Sequence, residues 1–318
     1  MEYIVETSNL VKQFKKHKAV NDVSMHIPKG SIYGFVGRNG AGKTTLMKII
    51  AGLSYKTSGD IKIFGKAIED TSEEHKKIGC IIEAPGLYPN MTARQNIEIK
   101  AIAEGMLRET DVDKILQEVG LAKTGKKKAK NFSLGMRQRL GIAMALVGNP
   151  ELLILDEPIN GLDPQGIQEV RNTIISLNKD RGITIFISSH ILDELNKVAT
   201  HYGIIHNGVL IKEISSDELH KECTRSVSIH VNDIENSINT LKSIGFESII
   251  VDHNILRVPG ITDNTADINE ALVKAGVKVS QLYISEENLE NYFIELTGST
   301  NNTYGIVKKI ESEGIVNG

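Results

Sequence analysis

Cysteine is nearly absent from this chain of 318 residues, which carries Cys80 and Cys223 and no others. The pair shows neither metal-ligand spacing nor a disulfide framework, and it suits a reducing, cytosolic setting. An excess of one charge is also missing. Lys and Arg number 37 against 40 Asp and Glu, a net charge of -3 with a sequence pI near 6.3. There is thus no global basic field of the kind a nucleic-acid binder uses, and no nucleic acid is expected as a partner. No apolar run approaches the roughly 20 residues needed to cross a bilayer. The opening segment, Met1-Glu-Tyr-Ile-Val-Glu6, lacks a basic start followed by an apolar core, so no signal peptide is read there. Any work at a membrane is expected to go through a partner.

What the chain does have is a complete phosphate-binding loop, Gly37-Arg38-Asn39-Gly40-Ala41-Gly42-Lys43-Thr44-Thr45. The glycines let the backbone curl until successive N–H groups face phosphate oxygens. Lys43 brings a positive charge to the outer phosphates, and the Thr44 hydroxyl is placed to ligate Mg²⁺. The apolar Ser31–Val36 ahead of the loop reads as a buried strand. Thr44–Ala51 after it reads as a helix whose positive end faces the anion. Downstream, Leu152-Leu-Ile-Leu-Asp156-Glu157-Pro158 is an apolar strand that delivers two carboxylates at its C-terminal end, where open α/β sheets bind ligands. Asp156 is expected in the Mg²⁺ shell. Glu157 is expected to orient or deprotonate the water that attacks the γ-phosphate.

The length predicts about two domains. Up to about residue 222, apolar strands such as Leu152–Leu155 and Thr184–Ile187 alternate with helical stretches, which implies an α/β unit with a mainly parallel sheet. A helical subdomain is expected over about residues 93–148. Within it, Lys123-Thr-Gly-Lys-Lys-Lys-Ala-Lys130 reads first as a solvated loop, with lipid headgroups or a partner as the alternative. From 223 to 297 the order strand, helix, strand, strand, helix, strand predicts a small α+β domain of ferredoxin-like type. An amphipathic helix, Glu286–Leu296, is expected to close it, followed by a flexible tail at 298–318.

With both phosphate motifs in place, the chain resembles the ATP-binding cassette (ABC) ATPases over about residues 3–220. Further segments extend the likeness. Asn131-Phe-Ser133-Leu-Gly135-Met-Arg-Gln-Arg-Leu140 is similar to the family's signature segment, Asn160-Gly-Leu-Asp163-Pro to its interface loop, and His190 to its switch histidine. Phe14, in Val11-Lys-Gln-Phe-Lys15, matches the aromatic that stacks on adenine, with an ordinary core phenylalanine as the alternative. The resemblance implies that ATP and Mg²⁺ bind Phe14, the loop 37–45, Ser133 and Gly135. Catalysis would rest on Lys43, Glu157 and His190. It further implies an ATP-sandwich dimer, formed with a second copy or a homologous subunit, and integral-membrane permease subunits as partners. The chain would then be cytoplasmic and peripheral on the inner face of the cell membrane.

Two departures from the broad family pattern refine this. Glu83, in Ile78-Gly-Cys-Ile-Ile-Glu83-Ala-Pro85, stands where glutamine is usual, and its carboxylate could reach the metal. The signature reads Ser-Leu-Gly-Met where Ser-Gly-Gly-Gln is common. Together they resemble the bacitracin and lantibiotic self-protection branch, in which a cassette subunit drives permeases that remove peptide antibiotics. General drug or polysaccharide exporters remain open as alternatives, as do soluble non-transport ABC ATPases. Leu87, Tyr88 and Met91, within the segment Glu83–Thr92, are expected to dock the permease.

Overall fold

Leu152–Asp156 is buried at every position, on both faces, as a strand in the middle of a covered parallel sheet must be. The computed structural model describes residues 2–68, 73–222, 226–246, 249–252, 254–259 and 265–285, together with Tyr292, Phe293 and Leu296. The chain divides into two compact units, the first ending at Ser216 and the second beginning at Asp217. That division falls after the first residue of the helix Ser216–Glu222 rather than at its end.

In the first unit, β1 (Tyr3–Phe14) and β2 (His17–Pro28) pair antiparallel, and β3 (Ile32–Val36) leads into α1 (Lys43–Ile50). Strands β4 (Ser58–Ile63) and β5 (Lys66–Ala67) extend the first sheet in the order β2-β1-β4-β5. Next come β6 (Ile78–Ile81) and the helices α2 (Ala93–Ala103), α3 (Val112–Glu118) and α4 (Leu134–Ala145). The unit continues through β7 (Leu152–Asp156), α5 (Pro164–Arg181), β8 (Thr184–Ser189), α6 (Leu192–Asn196), β9 (His201–His206) and β10 (Val209–Ser215). These strands form a six-stranded sheet, β10-β9-β3-β8-β7-β6. Every pair in it is parallel except the edge pair β9–β10.

Local chemistry starts and stops the helices. Thr92 and Gln95 form a reciprocal capping box ahead of α2. Asp163 caps α5, Pro164 opens it, and Gly182 in a left-handed conformation ends it. Between the two sheets lies a core to which Leu10, Met25, Phe35, Met47, Ile154 and Phe186 contribute. It fixes β3, α1 and β7 against one another and so sets where the loop 37–45 meets Asp156.

The second unit contains α7 (Ser216–Glu222), β11 (Ser226–Val231), α8 (Ile234–Ser243), β12 (Ile250–Asp252), β13 (Ile255–Pro259), α9 (Thr265–Lys274) and β14 (Val279–Ser285). Its sheet runs β12-β13-β11-β14, antiparallel throughout. The path β-α-β-β-α-β with this strand order is the ferredoxin-like arrangement. Val227, Ile229, Leu241, Leu256 and Leu272 build its core. The expected helix Glu286–Leu296, apart from Tyr292, Phe293 and Leu296, and the tail 298–318 lie outside the described residues.

Candidate functional site

The loop Gly37–Thr45 joins β3 to α1, with Arg38, Asn39 and Gly40 open to solvent and Lys43 buried. Gly42 is irreplaceable in this path. Its φ is +107°, and a Cβ there would stand 2.2 Å from the Ala19 carbonyl oxygen. Helix α1 begins at Gly42 with no side-chain cap and no acidic residue in its first turn. By contrast, α2, α3, α4 and α5 are capped by Thr92, Asp111, Ser133 and Asp163. The first N–H groups of α1 are therefore left for an anion.

Around this helix start, hydrogen bonds join the Asp156 carboxylate of β7 to the loop and to β8. The Thr44 hydroxyl donates to Asp156 Oδ2 at 2.7 Å, and the Ser188 hydroxyl donates to Asp156 Oδ1 at 2.6 Å. Ser188 Oγ also accepts from the Glu157 N–H at 2.9 Å. Glu157 itself has φ +50°, a left-handed conformation that a non-glycine residue adopts at some cost. One carboxylate oxygen, Oε2, lies 2.6 Å from His190 Nδ1. The other, Oε1, is buried without a hydrogen bond and lies 3.3 Å from Lys43 Nζ. Lys43 in turn donates to the Gly37 carbonyl at 2.6 Å. One cation, two carboxylates and an imidazole thus converge on the open mouth of the loop.

These residues fit a magnesium ion. Thr44 and Asp156 present a hydroxyl and a carboxylate side by side, and Glu157 Oε1, buried and paired with Lys43, makes no hydrogen bond. Among the described residues no group of three or more His, Cys, Asp or Glu side chains could hold a metal alone.

Other expected residues are placed differently. Glu83 is exposed, and its carboxylate pairs with Lys48 of α1 at 2.5 Å instead of joining Thr44 and Asp156. Ser133 caps α4 by accepting from the Met136 N–H at 3.2 Å. Gly135 lets α4 approach α5, since a Cβ there would meet Gly166 Cα at 3.3 Å. Among the described residues no hydrogen bond ties Ser133 or Gly135 to the phosphate loop. Phe14, at the end of β1, is half exposed with Lys12 Nζ 4.9 Å from its ring centre, so it is not a core residue. Its ring is free to stack on a base.

Ser188 was not among the residues singled out from the sequence. Its only signal was the Ser-Ser preceding His190. An apolar groove, lined by none of Lys43, Thr44, Asp156, Glu157, Ser188 or His190, was equally hidden. It measures about 800 Å³ and is lined by Ile78 and Ile81 of β6, Pro85, Tyr88, Ile99 of α2 and Met144 of α4. Of the three residues expected to dock a partner, Tyr88 lines it, whereas Leu87 and Met91 are partly buried beside it. Cys80 also lines this groove, and burial pushes its thiol up, which keeps it protonated and unreactive.

Comparison with known proteins matches this geometry. The ABC transporter family pattern covers residues 20–160. The bacitracin transport ATP-binding protein BcrA of Enterococcus faecalis is 42% identical over 300 residues, spanning 94% of this chain and 97% of that one. The lantibiotic transport ATP-binding protein SrtF of Streptococcus pyogenes is 47% identical over 214 residues, 67% of this chain and 92% of that one. Among solved structures, the ADP conformation of MJ1267, an ATP-binding cassette of an ABC transporter, superposes with a TM-score of 0.63 at 28% identity. That match covers 70% of this chain and 95% of the other. With a phosphate loop, paired carboxylates and a histidine assembled on this fold, and relatives alike over nearly their whole length, the chain belongs to the ABC transporter ATP-binding family and is an ABC-type ATPase.

Proposed function

We propose that this chain is the ATP-hydrolysing subunit of an exporter that removes membrane-active peptide antibiotics of the bacitracin and lantibiotic kind through separate permease subunits. The observation that carries the hydrolytic half is the connected set Lys43, Thr44, Asp156, Ser188, Glu157 and His190 at an uncapped helix start. The substrate class rests on likeness to a bacitracin and a lantibiotic transport ATP-binding protein.

In this reading the α1 N–H groups and Lys43 bind the β- and γ-phosphates, and the exposed ring of Phe14 takes the adenine. Thr44 and Asp156 hold Mg²⁺, which when bound neutralises charge developing on the phosphate oxygens. Glu157 accepts a proton from the attacking water, and His190 orients Glu157 through the bond to Oε2 while facing the γ-phosphate. Ser188 positions the Asp156 carboxylate from behind and holds the Glu157 main-chain N–H. Ser133 and Gly135, standing off from the loop of their own chain, complete the phosphate site of a second subunit in an ATP-sandwich dimer. The groove beside Glu83–Thr92 receives the permease on the cytoplasmic face of the membrane. No helix among the described residues is long and apolar enough to cross a membrane, so the pathway itself belongs to the partners.

The test is antibiotic susceptibility in cells expressing the chain with its cognate permease, wild type beside Glu157→Gln, against bacitracin, lantibiotics and small lipophilic dyes. Protection against the peptides alone, lost in the variant, is the expected outcome. The purified variant should bind ATP and form a stable dimer while turnover falls by about 10²- to 10⁴-fold, the usual contribution of a general base. Protection against dyes would move the chain to the general drug exporters, and loss of ATP binding would remove Glu157 from the role of base.

A further inference from the structure

Five lysines fall within the run Lys123-Thr-Gly-Lys126-Lys127-Lys128-Ala-Lys130, in a chain whose net charge is -3. All five are exposed. Some lysines elsewhere on the surface are neutralised locally, as in Lys66–Glu74, Lys76–Glu73 and Lys197–Glu194, and Lys114 and Lys179, which have no acidic partner among the described residues, stand apart from one another in sequence. Among the described residues none of the five has an acidic partner. Lys127 sits over the Phe132 ring at 5.7 Å, and the other side chains make no contact of this kind.

The run is fixed in place. Thr92 and Lys128 form a β-bridge, the Ala129 N–H donates to the Met91 carbonyl at 2.8 Å, and the Lys130 N–H donates to the Pro89 carbonyl at 2.8 Å. Ala129 and Phe132 are buried beneath it. The basic face is therefore held beside Pro89–Thr92, next to the half-exposed Tyr88 that lines the apolar groove.

We propose that this lysine run is a membrane-surface contact for anionic phospholipid headgroups, so that the chain meets the bilayer directly as well as through a partner. The chemistry favours a diffuse anionic surface. Lysine ammonium groups are compact point charges on flexible stems, without the planar fork by which arginine recognises a shaped acceptor. The run carries no exposed apolar residue to insert, and its five lysines are all exposed. Such clusters are attracted to anionic leaflets within a Debye length of the surface. The neighbouring Tyr88 offers an amphipathic ring suited to headgroup depth. Adsorption through this face holds the groove near the bilayer, where an integral-membrane partner is to be found. The inference stands apart from the identity of the exported substrate.

The experiment uses the purified full chain without any permease. It is sedimented with vesicles of phosphatidylcholine alone and of phosphatidylcholine with phosphatidylglycerol in equal parts. Wild type is expected to bind the anionic vesicles only and to be released by added salt. Lys126→Gln/Lys127→Gln/Lys128→Gln should bind about fivefold more weakly per lysine removed, roughly a hundredfold in all. Its ATP turnover should equal that of wild type. Lys66→Gln/Lys76→Gln/Lys197→Gln removes the same net charge at paired positions and should bind as wild type does. Absence of binding, equal binding to both vesicles, or equal loss in the two triple variants would overturn the proposal. So would attachment that requires the permease and ignores lipid charge, which would assign the lysines to an acidic protein surface.

Discussion

Glu83 shows how a single side chain can satisfy a pattern and still turn elsewhere. By position it was a metal-ligand candidate, yet its carboxylate pairs with Lys48 on the solvent side of α1. Its backbone takes a left-handed φ of +69°, uncommon for a non-glycine residue. The pair is largely solvated, so it contributes under about 1 kcal/mol to stability. Glu83→Gln should leave the Mg²⁺ concentration for half-maximal turnover where it is in wild type. A clear shift in that titration would return Glu83 to the metal shell. Ser188 is the opposite case, a residue of no sequence distinction that bonds to both Asp156 and Glu157. Its place follows from parallel pairing, because β7 and β8 set Asp156 opposite Ser188. No spacing rule applied to one strand at a time could find it.

Among the helices, the start of each one decides what it does. α1 opens without a cap and leaves its N–H groups to a ligand, whereas α4 opens on Ser133, whose hydroxyl is already used on the Met136 N–H. Capping uses the Ser133 oxygen as an acceptor and phosphate contact would use its O–H as a donor, so one side chain can serve both roles, and they can be separated. Ser133→Ala should lower stability by about 1 kcal/mol, read by urea denaturation, and should also weaken ATP-dependent dimerisation. Ser133→Asp restores the cap but sets a negative charge against phosphate. Stability should recover while the dimer does not form. If the dimer forms normally in both variants, Ser133 acts within its own helix only. The motif that names this segment was legible in the sequence, as was its position at a helix start. That Gly135 also serves the contact with Gly166 of α5 was not, since it depends on how two helices cross.

Across the first unit, Glu213 of β10 fastens one sheet to the other. Its carboxylate accepts from the Tyr33 hydroxyl of β3 at 2.7 Å and from the His26 N–H of β2 at 2.8 Å, and lies 3.0 Å from His26 Nδ1. Burial, and then the charge and hydrogen bond of Glu213, push the Tyr33 hydroxyl well above its ordinary range. A raised pKa favours the protonated form in the fold. This contribution is therefore complete below the unfolded tyrosine value of about 10 and is lost as pH rises beyond it. Tyr33→Phe should cost about 1 kcal/mol near neutral pH. The gap between variant and wild type should narrow in strongly alkaline solution, where only wild type carries the penalty. Urea midpoints across pH measure this directly, and a gap that stays constant would mean that Tyr33 does not ionise on unfolding in that range.

By itself the sequence determined the phosphate loop, the paired carboxylates at the end of an apolar strand, the helical stretch between them and the β-α-β-β-α-β order of the second unit. All of these are written in short windows, where glycine geometry, hydrophobic periodicity and capping chemistry act over a few residues. The tertiary structure alone decided which groups meet. Thr44 bonds to Asp156 across 112 positions and Asp156 to Ser188 across 32, distances that only the order and register of the sheet can close. The groove drew its walls from β6, α2 and α4, and the lysine run was pinned beside Pro89–Thr92 by main-chain hydrogen bonds. Side chains far apart in sequence have no signal of their mutual distance until packing removes every other arrangement.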